Sequence, residues 1–165
     1  MIDDIAPTVD VAIPCPLWER ECADAVSLAE TAARLTLSRS EAPAASVVDI
    51  TLADDKTQHA LNRTWRGQDA PTNVLAFPAA DPATPVPPGA PLLLGDVVLA
   101  FETVSREAAE QQKPFADHLR HLVVHGVLHL LGHDHDDDRD AAAMEAREIA
   151  ILAELGVPNP YRDTI

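Results

Sequence analysis

The apolar positions divide the chain of 165 residues into short alternating runs and longer helical ones. Residues 8–13 alternate apolar with polar or small positions, which predicts a first strand ended by Pro14 and Pro16. Over residues 17–37, Leu17, Cys22, Val26, Ala29, Ala33 and their neighbours recur near helical period in an alanine-rich segment, which predicts one helix. A polar connection covers 38–45. The β-branched content of 46–52 predicts a second strand, and a short helix follows over 54–65, capped by Asp54 or Asp55. Residues 66–73 hold turn formers, 74–77 form a third strand stopped by Pro78, and 92–100 is the most strand-like run of all. A polar helix over 101–112 comes next, then a helix opened by Pro114. Last is an amphipathic helix over 139–155, with Met144, Ile149, Leu152 and Leu155 on one side and Gly156 and Pro158 as its stop. Residues 79–91 contain five of the fourteen prolines and read as an extended surface insertion within one sheet. The order β-α-β-α-β-β-α-α-α predicts a single α+β domain, a small mixed sheet of about four strands covered by helices.

The helix opened by Pro114 carries the chemistry. Five of the seven histidines lie between His121 and His135, and His118 precedes them. His125 and His129 are four apart, which on a helix puts them one turn apart, ~6 Å along the axis and on one face. Gly132 suits a left-handed helix end, after which the chain can fold back and bring His135 to the same point. The pattern H-x3-H-x2-G-x2-H offers three neutral imidazoles to one Zn²⁺ per chain and leaves a fourth position open, the arrangement of a catalytic rather than a closed structural site. His133, Asp134 and His121 are candidates for supporting or acid/base roles beside that triad, and His118 for a supporting or packing role. Metzincin peptidases share the spacing but place a Glu, the general base, directly after the first histidine. Here that residue is Gly126, so a zinc peptidase lacks its mechanism unless a distant carboxylate such as Glu145 takes over.

Composition narrows the partners. The net charge is −15, which excludes a generally basic nucleic-acid-coating protein but not a local cationic cleft. Lys56, Arg63, Arg66, Arg34 and Arg39 are the cations available for such a patch. No apolar run reaches the ~20 residues of a membrane helix, and the acidic start is unlike an export signal, so a cytoplasmic protein with no membrane partner is expected. Cys15 and Cys22 match no metal or redox spacing and are expected as thiols.

Three blocks resemble one family. The run His121 to His135, the block Leu61-Asn62-Arg63-Thr64-Trp65-Arg66-Gly67 followed by Pro71-Thr72-Asn73-Val74-Leu75-Ala76-Phe77-Pro78, and Leu94-Gly95-Asp96-Val97-Val98 are similar to the YbeY family of bacterial endoribonucleases. The tail from Met144 to Tyr161 also fits. The resemblance implies a zincin-like architecture with the metal site on a central helix, and zinc held by His125, His129 and His135. It also implies maturation of the 3′ end of 16S rRNA, a role in ribosome quality control, and partners that include precursor rRNA, the ribosome and ribosome-associated proteins. The family's functional arginine falls on Arg66. On the residues alone Arg66 is a surface arginine at a helix end; the resemblance turns it, with His125, into a catalytic candidate. Its guanidinium would bind phosphate oxygens while metal-activated water cleaves the phosphodiester. Arg63, Thr72 and Asn73 are candidate RNA contacts. A ribosome-assembly factor that binds without cleaving is the remaining alternative.

Overall fold

The computed structural model describes residues 6–79, 90–132 and 138–161. Along them run β1 (Thr8–Ala12), α1 (Leu17–Glu21), α2 (Ala25–Arg39), β2 (Ser46–Ala53), α3 (Asp55–Arg66), β3 (Val74–Pro78), β4 (Leu92–Ala100), α4 (Phe101–Glu110), α5 (Phe115–Leu130) and α6 (Asp138–Glu154). The proline-rich 79–91 segment, apart from its ends, lies outside the described residues. So do His133, Asp134 and His135.

The one helix expected over 17–37 is two. Its break at Cys22 takes extended backbone, φ −145° and ψ 103°. The short first helix exists to deliver Trp18, which is fully buried, donates Nε1–H to the Ala53 carbonyl at 2.9 Å, and meets the rings of Phe101 and Phe115 at 5.4 and 5.5 Å. Cys15 and Cys22 are free thiols, the first buried and the second half-buried.

The four strands form a mixed sheet in the order β1-β2-β4-β3. β1 and β4 flank β2 in parallel, and β3 runs antiparallel along the edge of β4. Alternation assigns the two faces. Val48, Ile50 and Leu52 of β2, with Val97 and Leu99 of β4, join Leu119, Leu122, Val123, Val127 and Leu128 of α5 and Ala29, Ala33 and Leu37 of α2 in one core. Each fully buried Val, Leu or Ile side chain among these contributes about 1.5–3 kcal/mol. On the other face Asp10, Asp49 and Asp96 stand in register across three strands, with Phe77 next in the row. α3 lies on that second face, where its Leu61 and Trp65 share a cavity with Asp96 and Val98.

This layering corrects the idea of one basic patch. Arg34 and Arg39 sit on α2, committed to Glu30 and Glu154, whereas Lys56, Arg63 and Arg66 sit on α3 across the sheet. No described helix is long and apolar enough to cross a membrane.

Candidate metal centre

α5 is apolar around most of its circumference, as a helix at the centre of a fold must be. Beyond the polar residues of its first turns, Asp117, His118 and Arg120, it carries one polar row, His121, His125 and His129, each four residues apart and each half-buried. The helix ends at Leu131, and Gly132 takes φ +98° while its N–H bonds the His129 carbonyl at 3.0 Å, so the expected left-handed turn is present. The packing of Gly126 fixes how deep the row sits. A Cβ there would come within 2.7 Å of Val97 Cγ1, 3.2 Å of Val97 Cγ2 and 3.3 Å of Val74 Cγ2. The absent side chain therefore lets α5 press against β4 and β3, and a side chain at this position would have to push aside those of Val97 and Val74.

The two ring nitrogens of His125 face different surroundings. Nδ1 lies 3.0 Å from Glu148 Oε1, and Nε2 lies 3.1 Å from His129 Nε2. Two imidazole nitrogens bound tetrahedrally to one Zn²⁺ at 2.0–2.1 Å stand about 3.3 Å apart, so this pair fits a shared cation. The second nitrogen pair also borders open space. A cavity of about 580 Å³ is lined by His125, Gly126 and His129 on one side and by Arg66, Val74, Ala76, Phe77 and Pro78 on the other.

Glu148 was not singled out by sequence reasoning. The carboxylate that meets His125 is this one, three residues after Glu145. It is fully buried, and accepts from His121 Nε2–H at 2.8 Å and Tyr161 O–H at 2.6 Å on Oε2 in addition to His125. Burial alone would raise its pKa, but the hydrogen bonds from His121, His125 and Tyr161 overcome that and hold it at about 2. Tyr161 is shifted the other way, first by burial and then by Glu148, so its hydroxyl stays protonated. His121, His125 and Glu148 bring ligand-capable atoms within 4.8 Å of one another, so the centre contains a group that could hold a metal. A signal for Glu148 does exist in the sequence: it occupies the i+4 position from Met144 and the i−4 position from Leu152, inside the buried stripe of α6.

Arg66 is exposed and ends α3. Its position is set by polar anchors. Asp54 caps the helix by accepting from Thr57 N–H at 2.8 Å, and Gly67 closes it with φ +68°. Gln58 is buried, donates to the Val98 carbonyl at 3.0 Å and accepts from Thr72 N–H at 2.8 Å; Asn62 donates to the Ala70 carbonyl at 2.7 Å. These amides tie the 67–73 loop to β4. The Thr72 backbone and the Asn73 side chain thus help to hold the loop. Asn73 Nδ2 donates to Glu107 at 3.0 Å, its Oδ1 accepts from Val74 N–H, and Glu107 also meets His118 Nε2 at 2.9 Å. Burial lowers the His118 pKa, with Glu107 opposing it. Arg63 is exposed one turn before Arg66.

The sequence model of the family described as endoribonuclease YbeY matches residues 18–156. A relative of that description from Paramagnetospirillum magneticum is 54% identical over 158 residues, covering 93% of this chain and 96% of its own length. Another, from Magnetococcus marinus, is 58% identical over 120 residues, covering 69% and 82%. The solution structure of TM1509 from Thermotoga maritima aligns with a TM-score of 0.58 at 21% identity, over 94% of this chain and 99% of that one, which shows a common fold. With these matches spanning the helices that hold His125, Arg66 and Glu148, the chain belongs to the endoribonuclease YbeY family.

Proposed function

We propose that this chain is a single-domain, zincin-like, zinc-dependent endoribonuclease acting on single-stranded RNA. Its place would be the cytoplasmic maturation of the 3′ end of 16S rRNA and ribosome quality control. The observation that carries the reading is the pair of Nε2 atoms of His125 and His129, 3.1 Å apart, on the wall of a cavity whose opposite wall includes Arg66. Family membership supports the RNA substrate, and the resemblance in the motif blocks supports the ribosomal role.

In this reading His125, His129 and His135 would hold one Zn²⁺. When bound, the ion supplies Lewis acidity and a lowered pKa for water at neutral pH. The residues of the chain do the rest. Arg66 presents its planar fork to two oxygens of the scissile phosphate, where the developing negative charge is greatest. Val74, Ala76 and Phe77 add apolar surface beside Arg66, which lowers the local dielectric and strengthens that attraction. Arg63, Thr72 and Asn73 contact the flanking RNA, Thr72 and Asn73 through a loop held still by Gln58 and Glu107. His133 and Asp134 remain the acid/base candidates.

The test is incubation of zinc-loaded protein with single-stranded RNA and with casein, beside His125→Ala and Arg66→Ala. RNA cleavage lost in both variants is the expected result. Cleavage at the wild-type rate in both would sink the reading. Casein cleavage alone would point to the peptidase, against which the packing of Gly126 argues, and binding of RNA without turnover would point to an assembly factor.

A further inference from the structure

We infer that Glu148 is the positioning residue of the metal centre: it fixes the proton of His125 on Nδ1 and so aims the Nε2 lone pair at His129 and the cavity. The inference rests on the zinc site of the proposed function and adds to it a residue to which no role was assigned.

The argument is one of donors and acceptors. An ionised carboxylate only accepts. Three groups converge on Glu148: His125 at 3.0 Å on Oε1, and His121 and Tyr161 at 2.8 and 2.6 Å on Oε2. All three must therefore donate. For His125 this places the proton on Nδ1, because a neutral imidazole has one N–H, and leaves Nε2 as a lone pair. That nitrogen is the one 3.1 Å from His129 Nε2. For His121 it places the proton on Nε2. His121 Nδ1 is buried without a hydrogen-bond partner, which an unprotonated nitrogen tolerates better than a buried N–H would.

The same facts separate this role from direct ligation. His121, His125 and Glu148 could hold an ion between them. To do so His121 and His125 would have to give up the protons they donate to the carboxylate, and Glu148 is wholly enclosed. The His125–His129 pair borders a cavity instead. A metal-ligating imidazole generally donates its other N–H to a carboxylate, which sets its tautomer, its orientation and its basicity. Tyr161 and His121 hold the carboxylate in turn, so the turn after α6 belongs to the centre.

Two measurements test it, neither using RNA: zinc affinity and stoichiometry by competition with a chromophoric chelator, and long-range ¹H–¹⁵N spectra of the imidazoles in metal-free protein. Glu148→Leu removes every acceptor at similar volume between Met144 and Leu152. It is expected to weaken zinc about 10–100-fold with one site per chain retained at saturation. The His125 proton should then spread over both nitrogens, where wild type shows it on Nδ1. Glu148→Gln keeps an acceptor in place and covers the case in which the leucine variant does not fold; its expected loss is about tenfold, at the low end of the same range. Tyr161→Phe leaves Oε1 untouched and should retain the His125 tautomer. Unchanged zinc affinity in the glutamine variant, or a wild-type His125 carrying its proton on Nε2, overturns the inference. Loss of the zinc site at saturation in a folded glutamine variant overturns it in favour of ligation. Wild-type protein that shows the expected tautomer and affinities yet cleaves no RNA leaves this inference standing and removes the endoribonuclease reading.

Discussion

α5 and α3 face one cavity and are held by different forces. α5 has buried residues on nearly every side, among them Leu119, Leu122, Val123, Val124, Val127 and Leu128. α3 buries only Gln58 and Asn62. The histidines are thus placed by close packing, which is stiff and tolerates little change of volume. Arg66 is placed by a cap, a left-handed glycine and two buried amides, so a few hydrogen bonds decide where its charge sits. In the proposed reading the cation that must stay ordered would be on the rigid wall, and the arginine that would meet substrate on the wall that can adjust.

Five substitutions probe that contrast, in order of expected effect. His129→Ala should break the rigid wall outright, with zinc content by elemental analysis falling to background and RNA cleavage falling with it; full zinc occupancy in the variant would show that the Nε2 pair is not the metal site. Arg66→Ala should leave zinc content intact and lower kcat about 10²–10³-fold, the cost of removing one preorganised donor to a developing oxyanion. Arg66→Lys should restore part of it at most, since ammonium lacks the planar fork; full recovery would mean that charge alone matters. Gly126→Ala overpacks the contact with Val97 and should cost about 1–3 kcal/mol. Each kcal/mol lowers Tm by about 2–4 °C in a chain of this size. An unchanged Tm would show that α5 can slide.

The smallest effect belongs to Asp54→Ala, about 0.5–2 kcal/mol for a lost N-cap. Hydrogen bonding by Thr57 holds the Asp54 carboxyl below its ordinary range. The folded state therefore binds this proton less readily than the unfolded one. The cap's contribution is present above the ordinary Asp value of about 3.9 and lost as pH falls through the folded one. Melts of wild type and variant should converge in acid; a constant gap would exclude the charged cap.

The sequence was legible where one local rule governed. β4 matches its expected bounds because its apolar run is broken only by Gly95 and Asp96 while Val97 and Val98 add β-branching, and α3 starts where a capping aspartate precedes a polar helix. The His125–His129 pair followed from helical geometry alone. The break at Cys22 did not, because no Gly or Pro marks it and the cause is tertiary: Trp18 must reach Ala53, 35 residues on. Glu148 was missed for a related reason. Its meaning depends on α6 docking beside α5, and a helical stripe read for apolar residues passes over the one charge inside it. Ile149, which the periodicity favoured, is only half-buried, while Ile151 joins the core. Arg34 and Arg39 could be counted from the sequence, but the sheet that separates them from Arg66 could not.

The row of Asp10, Asp49 and Asp96 gives the sheet a dependence on ionic strength. Like charges opposed on neighbouring strands are destabilising. Strand spacing is about 4.8 Å, well inside the ~8 Å Debye length of physiological salt. Burial, and after it Asp49, pushes the Asp96 carboxyl above its ordinary range, so the folded state holds that proton more readily than the unfolded state and the strain eases as pH falls toward it. Asp10 is exposed to solvent and within reach of counterions. Most surface electrostatics weaken as salt is added. In this sheet the same screening removes a repulsion, so moderate salt should act as a stabiliser, and dialysis into very dilute buffer as a mild denaturant.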